Sequence, residues 1–210
     1  MNDERNSQRD TEALILEAAE KEFLEKGYLG AKTTSIAEAA GVTHAMFHYY
    51  FRTKDKLFDK IVSDKLEKLS EIMLGVIGNP ELPLKERIVQ GVERHFDFIR
   101  ANPQLPRFVF NEIHLRPERL DKFKNEMATM AADTLTTLQQ EIDANAAEGR
   151  CRRVDARMLM LDTVSLNIFP FMAEEIISVT FGTLFKDRET FFEMRKKENV
   201  KTILDKLNIA

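Results

Sequence analysis

The stretch AGVTHAMFHYYFRTK, residues 40–54, concentrates side chains that could bind a metal ion, a small ligand or a nucleic acid. His44 and His48 lie four residues apart, which is the spacing of two metal ligands on one face of a helix. No cysteine or acidic side chain accompanies them on that face, so a metal use is disfavoured. We therefore expect no metal site and no cofactor, and the aromatic residues need another explanation.

Two short helices are predicted on either side of Gly41, at residues 34–40 and 43–50. Thr34 and Thr43 stand where each helix would be capped. Ala37 is small enough for two helices to cross closely, and a short turn containing glycine between crossing helices is typical of a helix-turn-helix. The residues expected on the inner faces are Ile36, Ala40, Val42, Phe47 and Tyr50.

The predicted motif separates buried aromatic residues from exposed ones. Phe47, Phe51 and most of Tyr50 are expected in the core. In a helix-turn-helix, the N-terminal part of the second helix enters the DNA major groove. The side chains left facing outward, and so available to DNA, are Thr43, His44, Ala45, His48 and Tyr49.

The segment GAKTTSIAEAAGVTHAMFHYYFRTKDKLF, residues 30–58, resembles the DNA-binding module of the TetR repressors. The strong match covers about Phe23 to Phe58, and the remaining chain matches only in length and helical layout. The resemblance implies a dimeric, ligand-responsive repressor that binds palindromic double-stranded operator DNA. By position it also assigns DNA contacts to Thr34, Thr43, His44, Ala45, His48, Tyr49 and Lys54.

Two positions depart from the family pattern. Ala45 replaces the usual glycine, and its methyl group can meet a thymine methyl. His48 replaces the usual first tyrosine of the aromatic pair. We expect His48 still to donate a hydrogen bond to a phosphate, with greater sensitivity to pH.

The formal net charge of −4 requires that any DNA contact come from a local patch. Residues 28–58 hold four lysines or arginines against two acidic residues, a local charge of +2. Because this patch is thin, helix N-termini and hydroxyl groups near Thr34 and Lys54 are expected to supply part of the phosphate anchoring.

Eight glycines, six prolines and the lack of strand-like alternation predict an all-α fold of about nine helices. Residues 1–56 would form a three-helix helix-turn-helix DNA-binding domain, and residues 57–210 a larger helical ligand-binding and dimerisation domain. Thr11 is expected to cap the first helix and Gly27 to stop it. The predicted helices are Thr11–Lys26, Thr34–Ala40, Thr43–Tyr50, Thr53–Ile77, Leu84–Ala101, Leu105–Arg116, Glu118–Ala147, Asp155–Phe181 and Asp187–Leu207.

The second domain is rich in phenylalanine: of 15 in the chain, 11 follow Leu84. Pro170 inside a predicted helix removes a backbone hydrogen bond and should kink it. Large, adaptable side chains around a kink can open an apolar pocket. The candidate lining residues are Phe96, Phe98, Phe110, Ile113, His114, Phe169, Phe171 and Met172.

The sequence leaves three functions open. The first is a repressor released from DNA by a hydrophobic or amphipathic small molecule. The second is a DNA binder whose large domain binds a protein partner, and the third is a helical enzyme. The enzyme hypothesis lacks paired carboxylates, a nucleophile with a base, or a phosphate-binding loop, so we expect no catalytic activity.

The apolar helix at residues 155–181 carries more apolar surface than one core face absorbs, so we expect it to form a homodimer interface with the helix at 187–207. The charged start MNDERNSQRD is not a signal peptide, and the apolar run at 158–185 is interrupted by polar and acidic residues. We therefore expect a cytoplasmic protein without a membrane span. Cys151, the single cysteine, excludes an internal disulfide.

Overall fold

The computed structural model describes the backbone of residues 2–79, 81–115, 117–182 and 187–209. Within these ranges it also describes the side chains, except those of residues 2–9, 74, 112–127 and 129–131. These ranges contain ten α-helices and no β-strand, which confirms the all-α prediction. The helices are α1 (Asn2–Gly30), α2 (Thr33–Ala39), α3 (His44–Phe51), α4 (Lys54–Ile77), α5 (Leu84–Ala101), α6 (Leu105–Leu115), α7 (Pro117–Ala147), α8 (Ala156–Met172), α9 (Glu174–Thr180) and α10 (Arg188–Leu207).

The predicted helix at residues 155–181 is two helices, which raises the number from nine to ten. Pro170 lies inside α8, and the helical backbone ends at Met172. Ala173 then separates α8 from α9. The proline ring removes one backbone donor inside α8, and the helix reaches its C-cap three residues after it, at Ala173.

Helix α1 begins earlier than predicted and passes through Thr11, so the prediction that Thr11 caps it was wrong. The residues before Thr11 carry no apolar stripe, which is the signal on which the predicted start depended. Gly27 does interrupt the helix as expected, because its φ of 67° is in the left-handed region. One further turn follows it and ends at Gly30.

The chain divides into two compact units. The first comprises residues 1–66 and 108–117, and the second comprises residues 67–107 and 118–210. Helix α4 belongs to both units because the division falls within it. The domain boundary expected between residues 56 and 57 also falls within α4 and stays a prediction.

The core of the first unit is built from aromatic and aliphatic side chains of α1 to α4. The ring of Phe23 lies 5.8 Å from that of Tyr28 and 5.5 Å from that of Phe58, measured between centroids. Such offset and edge contacts add to the free energy of burial. Among the described side chains of this unit, those fully buried are Ile15, Ala19, Phe23, Ile36, Phe47 and Leu57.

The second unit contains two apolar clusters formed mainly by α5, α8 and α10. The aliphatic cluster consists of Ile77, Leu84, Ile88, Val92, Leu138, Ile142, Ala156, Leu159, Ile203 and Leu207. The aromatic cluster consists of Phe96, Phe98, Ile99, Phe171, Phe191 and Phe192.

Candidate nucleic-acid interface

Helices α2 and α3 form a helix-turn-helix. Gly41 makes the turn with a φ of 69°, and the amide of Val42 donates to the carbonyl of Ala37 at 2.9 Å. Ala37 is buried at the crossing, as predicted from its size. On α3, Phe47 is fully buried and anchors the helix, so the opposite face of α3 is left to solvent.

The two predicted capping threonines behave differently. Thr43 caps α3, because its Oγ1 accepts a hydrogen bond from the amide of Met46 at 3.2 Å. Thr34 does not cap α2, and this prediction was wrong: α2 begins at Thr33 after Lys32, with no side-chain cap. The Thr34 side chain is exposed instead, which leaves its hydroxyl accessible.

The exposed face of α3 contains the side chains that sequence analysis placed there. Thr43, His44, Ala45 and His48 are exposed, and Tyr49 is 73% exposed. Tyr50 is half-buried rather than mostly core. Its ring contacts that of Tyr49 at 5.4 Å between centroids, edge to face, which orients Tyr49 outward.

Met46 is a further exposed residue of this face that sequence analysis missed, at 39% exposure. The signal was available, because Met46 lies three residues before Tyr49 and therefore on the same side of the helix. A flexible thioether at this position can contact the apolar edge of a base.

Hydrogen bonds orient both histidines of α3. His44 Nε2 lies 3.1 Å from Thr33 Oγ1, and His48 Nδ1 lies 2.9 Å from the carbonyl oxygen of Arg52. Because a carbonyl only accepts, Nδ1 of His48 must carry the hydrogen. The Nε2 of neutral His48 is then an acceptor, so His48 can donate to a phosphate only as an imidazolium. In the described part of the chain, no group of three or more metal-binding side chains is found.

The ammonium of Lys54 is used within the protein, and the predicted DNA contact of this residue stays a prediction. Its Nζ donates to the carbonyl oxygens of Tyr28 at 2.8 Å and Ala31 at 2.9 Å. It also lies 4.4 Å from the centroid of the Tyr28 ring. Lys54 therefore ties the end of α1 to the start of α4, and the group it can still offer to DNA is its backbone amide at the N-terminus of α4.

Three other basic side chains around the motif are exposed and can meet phosphates: Lys32, Arg52 and Lys56. Arg52 follows α3 with a φ of 58°, a left-handed conformation that is uncommon for arginine. Sequence analysis counted these charges but did not place them in the candidate site. Thr53 accepts from the amide of Lys56 at 3.2 Å and so caps α4.

The predicted ligand-binding residues whose side chains the structure describes lie partly in a core and partly at the surface. Phe96, Phe98 and Phe171 pack in the aromatic cluster, where the Phe171 and Phe192 rings stack at 4.4 Å. Phe169 and Met172 are exposed. Phe110 is also exposed, and the side chains of Ile113 and His114 lie outside the described residues. A pocket lined by this set therefore stays a prediction, because side-chain size and helical period do not distinguish a core from a pocket.

Comparison with protein families identifies the chain. Residues 15–61 match the family model for bacterial regulatory proteins of the tetR family. Residues 85–203 match the model for the tetracyclin repressor-like C-terminal domain, which covers more than half of the chain. The chain belongs to the TetR family. It is therefore a DNA-binding transcriptional regulator, and the resemblance seen in residues 30–58 is confirmed.

Individual TetR-family relatives are distant. The chain is 29% identical over 129 residues to the uncharacterized transcriptional regulator YdgC of Bacillus subtilis, covering 60% of this chain and 64% of YdgC. It is 31% identical over 137 residues to the transcriptional repressor BepR of Brucella suis, covering 63% of this chain and 61% of BepR. The matches thus span less than two thirds of either relative.

A solved TetR/AcrR-family regulator from Thermobifida fusca has the same fold, with a TM-score of 0.67 and 21% identity over 93% of this chain and 97% of that one. Across the part of the chain that the structure describes, no helix combines the length and apolarity needed to cross a membrane.

Proposed function

We propose that the protein is a homodimeric repressor that binds a palindromic operator and is released from it by a small hydrophobic or amphipathic molecule. The exposed face of α3 is the observation that carries the DNA-binding part. It presents hydroxyl, imidazole, phenol and apolar groups from a helix anchored by Phe47, with exposed cations of Lys32 and Arg52 beside it. Acting on DNA, it would work in the cytoplasm.

This face suits both kinds of DNA contact. Phosphates are met by cations, hydroxyls and helix N-termini, which set the register of the protein on the duplex. Base edges in the major groove are distinguished by hydrogen bonds and by contact with the thymine methyl. We assign phosphate contacts to Thr34, Tyr49 and the backbone amide of Lys54, and base contacts to Thr43, His44 and Ala45.

The dimer is supported by an exposed apolar stripe on α8 and α9. Its members lie three or four residues apart, except that eight residues separate Leu161 from Phe169, and Val179 is 87% exposed and Ile176 70% exposed. A monomer rarely leaves so continuous an apolar surface in water. Two-fold pairing of this stripe would bury it and place two α3 helices about one DNA turn apart. The stripe consists of Met158, Leu161, Phe169, Met172, Ile176 and Val179.

Helix α4 is a candidate for transmitting the ligand signal. Its first half contributes Leu57, Phe58 and Ile61 to the core of the first unit. Its second half packs Met73 and Ile77 with the aliphatic cluster of the second unit. Suppose a ligand binds 100-fold more tightly to a dimer whose two α3 helices have a spacing that does not fit DNA. DNA binding would then be weakened by a coupling free energy of about 2.7 kcal/mol.

A protein partner in place of a small ligand remains the second candidate, because the aromatic residues expected around a pocket, Phe96, Phe98 and Phe171, pack together in a cluster. A concave surface of about 820 Å³ on the second unit is an open groove. It is lined by residues of α7 and the start of α8, such as Gln139 and Arg157. A partner-binding regulator would keep operator binding and show no response to small molecules.

Footprinting on the DNA upstream of the protein's own gene tests the proposal. We expect the wild-type protein to protect a palindromic site, and Tyr49→Ala to protect it only at higher concentration. Candidate hydrophobic molecules added to the wild-type complex should remove the protection. Protection that no such molecule alters, but that a protein from the same cell removes, would favour the partner hypothesis.

A further inference from the structure

Three buried polar side chains separate the two apolar clusters of the second unit. His95 on α5 is 4% exposed, and Asn167 on α8 and Asn199 on α10 are fully buried. On each helix the polar residue lies between residues of the aliphatic cluster and residues of the aromatic cluster. We call His95, Asn167 and Asn199 the polar layer.

Hydrogen bonds determine the orientation of each group in the polar layer. Asn199 Nδ2 donates to the carbonyl of Leu166 at 3.0 Å and to Asn167 Oδ1 at 2.8 Å. Asn167 Nδ2 donates to the carbonyl of Val92 at 2.9 Å and lies 3.0 Å from His95 Nδ1. Flipping the Asn199 amide would place its oxygen against two acceptors, so the orientation is determined by its partners.

One acceptor in this layer is left over. Asn199 Oδ1 is buried and has no hydrogen-bond partner among the described residues. Nearly all buried polar atoms in proteins are paired, and an unpaired one costs on the order of 1–3 kcal/mol, so an unpaired acceptor in a core calls for a donor from outside the chain.

A small cavity of about 30 Å³ lies one helical turn from the polar layer. Val92, Thr163 and Ile203 line it, and they are three or four residues from His95, Asn167 and Asn199 respectively. Thr163 donates its hydroxyl hydrogen to the carbonyl of Leu159 at 2.9 Å, so its oxygen can only accept from a ligand. The cavity wall therefore offers the acceptor of Thr163 in an apolar setting, and the unpaired acceptor of Asn199 lies one helical turn away.

The cavity can grow. Its present volume holds a water molecule or two. Met73 and Met160 are part of its wall, and unbranched thioether side chains rearrange at little cost. Gly91 is also part of the wall, where a Cβ would lie 3.2 Å from Ile77 Cδ1 and 3.8 Å from Met73 Cε. Any larger side chain at position 91 would fill the space.

The charge of the ligand follows from the lining. No charged side chain is found among the described lining residues. Burial lowers the pKa of His95 to about 4, so the imidazole is neutral near pH 7. A buried carboxylate would have no cation beside it, and a buried ammonium no carboxylate, which makes either ion unfavourable.

We infer that the polar layer and the adjacent cavity form an effector site for an uncharged, largely apolar molecule that carries a hydrogen-bond donor, such as a long-chain alcohol. The single hydrogen of that donor is accepted by Thr163 Oγ1 on the cavity wall or by Asn199 Oδ1 one helical turn away, and the aliphatic cluster holds the apolar part. The inference rests on the proposed ligand-controlled repressor and specifies the chemistry of its ligand.

Alkanols from 1-butanol to 1-decanol are the probes. Binding to the full-length protein is followed by NMR through the methionine methyl groups and the side-chain amide of Asn199, assigned with Met→Leu and Asn199→Ser variants. Dibutyl ether, an isomer of 1-octanol without a donor, and octanoate, its charged counterpart, are titrated in parallel. We expect 1-octanol to bind at least about tenfold more tightly than either, since one hydrogen bond corresponds to about that factor.

Two variants test the location. Gly91→Ala should weaken alkanol binding about tenfold or more, and Thr163→Val should narrow the preference for 1-octanol over dibutyl ether. Gly75→Ala, a helical glycine where a Cβ meets nothing within 4 Å, is the matched control and should bind like the wild type.

Failure of the inference and failure of the repressor proposal have different signatures. If no alkanol binds, or if dibutyl ether or octanoate binds as tightly as 1-octanol, the inference is overturned even when operator binding is intact. If 1-octanol binds at Asn199 but leaves operator affinity unchanged, the site is supported and ligand control is refuted.

Discussion

Lys54 offers a sharp test, because its structural role and its predicted role lead to opposite results. Lys54→Met keeps the aliphatic stem and removes the ammonium from the carbonyl oxygens of Tyr28 and Ala31. Hydrogen bonds from charged donors contribute about 1.5–3 kcal/mol each when buried, and an exposed cation–π contact about 0.5–1 kcal/mol. Because Lys54 is half-exposed and these contributions are not additive, we expect a loss of about 2 kcal/mol in the free energy of unfolding.

The composition of the chain provides the assay. The chain has no tryptophan, and its three tyrosines, Tyr28, Tyr49 and Tyr50, all lie in the first compact unit. Tyrosine fluorescence during urea denaturation therefore follows that unit alone. Lys56→Met, at an exposed position two residues along α4, is the matched control and should change stability by less than about 0.5 kcal/mol.

The alternative for Lys54 has its own signature. If the ammonium binds a phosphate, Lys54→Met would unfold like the wild type. Its operator affinity would fall, and the slope of log K against log salt would decrease by about 0.9 for each phosphate that the protein no longer neutralises. That pair of results would refute the structural role.

The remaining predictions concern DNA binding, stability, pH and assembly. Tyr49→Ala should weaken operator binding by about 1 kcal/mol per half-site with the fold intact, whereas Phe47→Ala should lower the stability of the first unit by about 3–5 kcal/mol. Between pH 6.5 and about 4, His95 binds a proton in the unfolded chain but stays neutral when buried in the folded protein. The free energy of unfolding should therefore rise with pH across this window, by about 3 kcal/mol in total. His95→Gln should flatten this part of the plot of urea-derived unfolding free energy against pH. Ile176→Glu should shift the sedimentation coefficient from dimer to monomer.

Each of these predictions has a contradicting outcome. Unchanged operator affinity in Tyr49→Ala at fixed salt would remove Tyr49 from the interface. A His95→Gln profile parallel to that of the wild type would show that His95 does not titrate as described. Gln140→Glu adds the same charge at an exposed position of α7 and serves as the control for Ile176→Glu. A stable dimer in both variants would exclude the α8–α9 stripe as the interface.

Much of the DNA-binding module could be predicted from sequence, because its signals are local. The cap at Thr43, the turn at Gly41 and the buried Phe47 each depend on neighbouring residues, and the structure confirms all three. The start of α1 and the cap at Thr34 could not be predicted, because a helix can begin on polar residues or without a side-chain cap.

Other features depend on contacts distant in sequence. Lys54 bonds to carbonyl groups 23 and 26 residues earlier, which no spacing rule within the motif indicates. Asn167 lies on the apolar helix α8 and Asn199 on the charged helix α10, and only the packing of α5, α8 and α10 brings them together. Helical periodicity identifies a buried face and does not say whether that face meets a core or a cavity.

Selection of binding sites from a random DNA library tests the central claim most directly, since it needs no knowledge of the operator. Two α3 helices held in a dimer should enrich a palindrome whose half-sites are about one helical turn apart. Tyr49→Ala should enrich the same palindrome more weakly, and the monomeric Ile176→Glu variant should enrich no palindrome. If the wild-type protein enriched no sequence, or if Tyr49→Ala enriched the palindrome as strongly as the wild type, the assignment of the α3 face to DNA would be contradicted.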